Sequence, residues 1–212
     1  MSPAAPELLV LNGVRLKGFT DVEALAGCCG LSEAELQGVL GRLRDRDLVQ
    51  HREGRVSGWT LTPAGREEHS RVVARELEQA GCAPDIEAIY QEFLALNPQL
   101  LGAASAWQVR EVDGEAVTND HADPTYDAGV IADLREVHND AVLLVDRLTA
   151  CLERFERYRP RLEAAIARVE AGDRNWFTRP LIDSYHTVWF ELHEDLLGTL
   201  GRERSQESKE LA

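Results

Sequence analysis

The segment DSYHTVWFELHED, Asp183 to Asp195, is the densest concentration of chemically capable side chains in the chain. It holds one tyrosine, two histidines, one tryptophan, one phenylalanine and four carboxylates in thirteen residues. Three kinds of chemistry use such residues: metal ligation, acid–base or nucleophilic catalysis, and binding in an aromatic pocket. His186 and His193 are seven positions apart, so on one helix they share a face but stand about 10 Å apart along the axis. One ion with ligand bonds of about 2 Å cannot take both. A mixed site combining His121, Asp123 and one helical histidine is the metal arrangement left open, and no metal or cofactor is expected. Ser184 and Ser105 lack a GxSxG context, Cys151 adjoins the apolar Leu148/Leu152 face, and no glycine-rich loop follows a strand to cradle phosphate. Catalysis is therefore the lesser reading, with acid–base work by Glu191, Glu194 or His186 still open.

The pocket reading uses more of these residues. On a helix, Tyr185, Trp189, Leu192 and Leu196 form one stripe, with His186, Phe190, His193 and Leu197 beside it. Asp183, Thr187, Glu191 and Asp195 form the polar side. A helix apolar or aromatic over most of its circumference is buried by neighbours. Residues that could converge on it are Trp107, Gln108, Arg110, His121, Tyr126, His138, Trp176 and Arg179, supported by Asn119 and Asp120. Aromatics with a few placed polar groups suit a small ligand, and Arg110 or Arg179 would grip a carboxylate. The alternative is a satisfied polar network inside a helical core.

The elements that must position this helix are themselves helical. Ile86, Ile89, Tyr90, Phe93 and Leu94 have helical spacing, and Asn97-Pro98 is expected to interrupt the helix, with a second short helix carrying Leu100, Leu101 and Trp107. Residues 112–127, rich in Gly, Pro, Asn and Asp, are expected to be a loop. A long helix from about Tyr126 to Tyr158 presents Ile131, Leu134, Val137, His138, Ala141, Leu144, Val145, Leu148, Leu152 and Phe155 on one face. Another helix, RPRLEAAIARVEAGD, stops at Gly172.

The first part of the chain is organised differently. PELLVLNGVRLKGF reads as a helix ended by Gly18, and TDVEALAGCCG as a second with Thr20 or Asp21 as N-cap and Gly30 as stop. LSEAELQGVLGRLRDRDLV opens with a capping box, Ser32 and Glu35. Two short helices joined by a glycine-containing turn suggest helix-turn-helix organisation. The period then changes: DLVQHR and VSGWTL, joined through Glu53-Gly54, read as a hairpin. Thr62 and Pro63 open a further helix.

The string GWTLTPAGREEH, following three helices and the DLV…REGR hairpin, resembles the winged-helix module of MarR-type bacterial regulators over roughly residues 6–80. The resemblance implies a mainly α protein: an N-terminal winged helix-turn-helix of three helices plus a hairpin wing in residues 1–81, followed by an all-α domain in residues 82–212. It implies double-stranded DNA as partner, a two-fold homodimer, and DNA contacts from Ser32, Gln37, Arg42 and Arg44 on the third helix with Arg52 and Arg55 at the wing. Glu33 and Glu35 depart from that pattern, although acids there also suit the helix dipole.

Charge bears on the partners. Residues 1–82 carry a net charge of −2 and residues 83–212 one of −12, so a polyanion can approach only the first part. The start MSPAAPELLVL has neither a basic n-region nor a long apolar run. No run approaches the roughly 20 apolar residues that span a bilayer. Four cysteines without a CxxC pair fit a reducing compartment. The expectation is a cytoplasmic DNA-binding regulator that senses a small-molecule effector through its helical domain and does not engage membranes. The alternative is a small-molecule-binding protein or enzyme that retains a winged helix it does not use on DNA.

Overall fold

The computed structural model describes residues 5–55 and 57–202. It is mainly α-helical, with two small antiparallel hairpins. Helices α1 (Pro6–Lys17), α2 (Val22–Cys29) and α3 (Glu33–Asp45) are followed by strands β1 (Val49–Arg52) and β2 (Gly58–Leu61) and by α4 (Pro63–Ala80). The local chemistry sets these boundaries. Asp21 caps α2, and the Ser32–Glu35 capping box starts α3. Gly30 and Gly81 end α2 and α4 in the left-handed conformation that glycine adopts without steric cost. The β1–β2 register pairs Val49 with Leu61 and Arg52 with Gly58, so residues 53–57 make the connection, longer than a tight two-residue turn. Thr20 adds a bridge to Trp59. A core of Val10, Leu11, Val14, Leu25, Leu36, Leu40, Leu43 and Leu61 sits among these elements.

The rest packs around a second core. Helix α5 (Ala83–Gln108) lies against α6 (Pro124–Cys151), and α7 (Tyr158–Glu170), α8 (Asn175–Thr178) and α9 (Tyr185–Thr199) complete it. Three expectations need correction. Helix α5 runs continuously through Pro98. An internal proline costs a helix about 3 kcal/mol, and here the long contact with α6 and the packing of Phe93 and Leu100 hold the helix together across it. Residues 112–127 are not all loop: β3 (Val109–Val112) and β4 (Glu115–Thr118) form a hairpin. Its turn residues Asp113 and Gly114 both have positive φ, the type I′ geometry that an Asp-Gly pair favours. The long helix also stops at Cys151. Leu152 is extended, and a 3-10 turn (Glu153–Arg157) leads into α7. Among the described residues, no helix is long and apolar enough to cross a membrane.

Candidate functional site

The residues expected to share a ligand pocket fall into separate packed groups. At the end of α5, Trp107 packs against His121 (ring centroids 4.4 Å) and Phe177 (5.1 Å). Asn119 Nδ2 donates to the Trp107 carbonyl at 3.2 Å and to Asp127 Oδ1 at 3.0 Å, and His121 Nδ1 lies 3.0 Å from Asp127. The Arg110 guanidinium stands 5.9 Å from the Tyr126 ring, with Asp120 at 3.6 Å. The Tyr126 hydroxyl donates to the Ala106 carbonyl. Asp123 is occupied as the N-cap of α6, accepting from Thr125 N and Tyr126 N. His121 and Asp123 therefore serve different local roles, and no group of three or more metal-ligating side chains occurs among the described residues.

On α9, Tyr185 is fully buried and its hydroxyl meets His138 Nδ1 at 3.3 Å. Trp189 is 2% exposed, stacks on Phe93 at 4.5 Å and donates through Nε1 to Asn97 Oδ1 at 2.9 Å. His193 is buried against the Phe93 and Tyr90 rings. His186 is half-buried, Trp176 lies under Arg168, and Gln108 and Arg179 are exposed and belong to neither group.

The side of α9 read from sequence as polar is buried at two of its positions. Glu191 and Asp195 are 2% and 1% exposed. They face α1 and α4 of the first part and three arginines that sequence reasoning passed over. The 3-10 turn and α7 carry Arg154, Arg157, Tyr158 and Arg161 at spacings of three and four, which align along one face. Asp195 accepts from Arg154 Nη1, from Arg157 Nη2 at 2.7 Å, from the Tyr158 hydroxyl at 2.8 Å and from Asn12 Nδ2 at 2.9 Å. Arg154 also donates to Glu76 on α4 at 2.6 Å and to Thr199 Oγ1. Glu191 takes Lys17 at 2.7 Å and Arg161 at 2.6 Å, and both cations also bind Asp183. Four cations, Lys17, Arg154, Arg157 and Arg161, thus meet four anions, Glu76, Asp183, Glu191 and Asp195.

The electrostatics follow from this crowding. Burial pushes the Asp195 carboxyl up, but Arg154 and Arg157 outweigh it and hold the group well below the usual carboxylate range. Asp183 is held at about 2 by Arg161 and Lys17 against the same burial penalty. Cys28, 1% exposed on α2, feels the cluster as well: the hydrogen bond with Cys29 lowers its thiol to about 7 against burial, with Arg157 and Arg161 adding to the effect. Arg157 Nε and Nη1 and Arg161 Nη1 are buried without a hydrogen-bond acceptor among the described residues.

His69 links this cluster to α4. Its Nε2 lies 2.9 Å from Asn12 Oδ1, while Asn12 Nδ2 donates to Asp195. The asparagine oxygen can only accept, so Nε2 carries the proton of a neutral imidazole. Burial first, then Arg15, lowers the His69 pKa to about 4, with Asp195 opposing and Arg154 and Arg157 reinforcing. The unfolded chain takes up a proton at His69 near pH 6.5, whereas the folded protein does not until about pH 4. Stability contributed at this position is complete above pH 6.5 and declines as pH falls towards 4, by up to about 3 kcal/mol. His138 and His186, also lowered by burial, add in the same direction, and Asp183 and Asp195 add only below about pH 4. Urea titrations between pH 7.5 and 4.5 should show the decline, shallower in His69→Gln. An identical slope in that variant would argue against the assignment.

The chain matches no protein-family model, no curated protein and no solved structure in comparisons with each.

Proposed function

We propose that residues 6–80 form a winged helix that binds double-stranded DNA, and that α5–α9 hold this module in an orientation that a small effector biases. The observation that carries the reading is the division of labour among its helices. Helices α1 and α4 make the packing against α5 and α9, whereas α3 packs on α1, α2 and β1. The free face of α3 is thereby left with Gln37, Arg42 and Arg44 exposed, and Arg52 and Arg55 are exposed at the hairpin. Ser32 and Glu35 are engaged with each other in the capping box: Glu35 Oε2 accepts from Ser32 N at 3.0 Å and Ser32 Oγ at 2.5 Å. One of the two acids at the start of α3 therefore has a local structural role. A two-fold homodimer belongs to the same proposal, with Leu143, 63% exposed on α6, as apolar surface for it.

A second reading, a ligand-binding protein that does not use the module on DNA, is favoured by one observation. Arg42 approaches Glu7 at 3.5 Å and Arg44 approaches Asp45 at 3.3 Å, so the cations of α3 already have anionic neighbours. Fluorescence anisotropy with duplexes drawn from genomic upstream regions distinguishes the two. The regulator reading expects a duplex whose affinity falls steeply with salt. Arg52→Ala with Arg55→Ala should weaken binding and reduce the slope of log K against log salt by about 2. Absence of binding at low salt by the folded protein would sink the regulator reading and leave the second.

A further inference from the structure

A cleft beside the buried ion cluster carries charge opposite to that of the molecule. It lies between the end of α1, β2, the first half of α4 and the end of α9, and encloses about 450 Å³, a volume typical of small-molecule sites. Three arginines, Arg15, Arg66 and Arg202, line it and no carboxylate does, although Asp and Glu outnumber Lys and Arg by 37 to 23 in the chain.

Arg15 and Arg202 are positioned by their neighbours. Arg15 Nη1 donates to the Glu194 carbonyl at 3.0 Å, its Nη2 lies 3.8 Å from the Glu194 carboxylate, and a Cβ on Gly198 would stand 3.2 Å from its guanidinium. Glycine at 198 thus lets the guanidinium lie close against the backbone of α9. Arg202 is held by Glu87 at 2.9 Å and lies over the Tyr90 ring. Arg66 is exposed and has no ion pair among the described residues, so its charge is available to a ligand. Ser70 lies one turn further along α4 with its hydroxyl donating to the Arg66 carbonyl at 3.1 Å, and Val14 and Leu61 supply apolar wall. Guanidinium groups grip carboxylate and phosphate oxygens in a fixed fork geometry.

We infer that this cleft binds a small organic anion, a carboxylate or phosphate ester with a compact apolar body, held by Arg66 and Arg15. The inference rests on the reading above and gives the proposed effector a chemical class and a place. A ligand there touches the first part of the chain through α1 and α4 and the second through α9. It therefore favours whichever relative placement of the two leaves the arginines converged.

Calorimetric titration of the full chain at constant ionic strength tests this, with phenyl phosphate and benzoate as amphipathic probes and inorganic phosphate as the bare anion. Saturable binding of phenyl phosphate or benzoate is expected, tighter than that of inorganic phosphate, and the tighter of the two identifies the headgroup. Arg66→Gln should weaken it at least tenfold while leaving the melting temperature of the free protein unchanged. Arg179→Gln, outside the cleft, should leave binding unaltered. No saturable binding of any probe up to about 10 mM, or equal affinity in Arg66→Gln, would overturn the inference, as would displacement of phenyl phosphate by a short DNA duplex. These outcomes are read without DNA binding as the signal. Loss of the cleft with duplex binding intact refutes this inference alone, and the reverse refutes the regulator.

Discussion

Asp195→Ala is expected to destabilise the protein by about 3–5 kcal/mol, because it removes one partner from a buried ion pair and leaves the other uncompensated. The group left behind is Arg157, a buried cation whose carboxylate partner among the described residues is Asp195 alone, whereas Arg154 keeps Glu76 and Thr199. Arg157, Tyr158 and Asn12 would each lose an acceptor in the same step. Urea denaturation followed by far-UV circular dichroism measures the effect. A double replacement, Arg157→Met with Asp195→Leu, should recover much of the loss, since well-packed apolar groups often match or exceed a buried pair in stability and Arg154 keeps its pair with Glu76. A single-variant loss below about 1 kcal/mol would mean that solvent reaches the cluster.

The second large effect is expected at Gly65, in the string TPAGREEH. Thr62 caps α4 by accepting from Gly65 N at 2.9 Å, and donates its own hydroxyl proton to the Asp47 carbonyl at 2.6 Å. The start of α4 is thereby drawn against the backbone entering β1. A Cβ on Gly65 would stand 1.9 Å from the Leu48 carbonyl oxygen, and that oxygen belongs to rigid backbone that cannot rotate away. Gly65→Ala should therefore cost about 3 kcal/mol or more, at the upper end of overpacking effects, and should shift α4 away from the β1–β2 hairpin. Gly41→Ala, where a Cβ meets nothing within 4 Å, is the control and should be neutral or stabilising by up to about 1 kcal/mol, as helix propensity predicts. Equal melting temperatures for the two variants would remove the close approach as the reason for glycine at 65.

The contrast between these positions and those singled out from sequence shows what a sequence can carry. Helix starts were legible at Asp21, Ser32 and Thr62 because capping is a local interaction written in adjacent residues. The burial of α9 was legible from its aromatic circumference. Which side of α9 faces the ion cluster was not, because Glu191 and Asp195 become interior only when Arg154, Arg157 and Arg161 arrive from a distant segment. A partial signal did exist: arginines at spacings of three and four through the 3-10 turn and α7, and acids four apart on a largely apolar and aromatic α9. Stripes of opposite charge on buried elements imply each other. The β3–β4 hairpin was missed for the opposite reason. Its Asp-Gly turn was plain, but its strands are short and mostly exposed, so no apolar alternation announced them.

The distance along the chain between the partners of Asp195 sets the order of assembly. Asn12 and Asp195 are 183 positions apart, and Lys17 meets its carboxylates only at Asp183 and Glu191. On the ribosome, which adds about 5–20 residues per second, the first module is complete long before α9 emerges. Throughout that interval Asn12, His69, Arg154 and Arg157 have no acid from α9 to meet. Contacts of such separation form late and slow folding, so the closing step belongs to α9. A nascent chain halted before Asp183 would present the arginines of the 3-10 turn and α7 that the finished protein conceals.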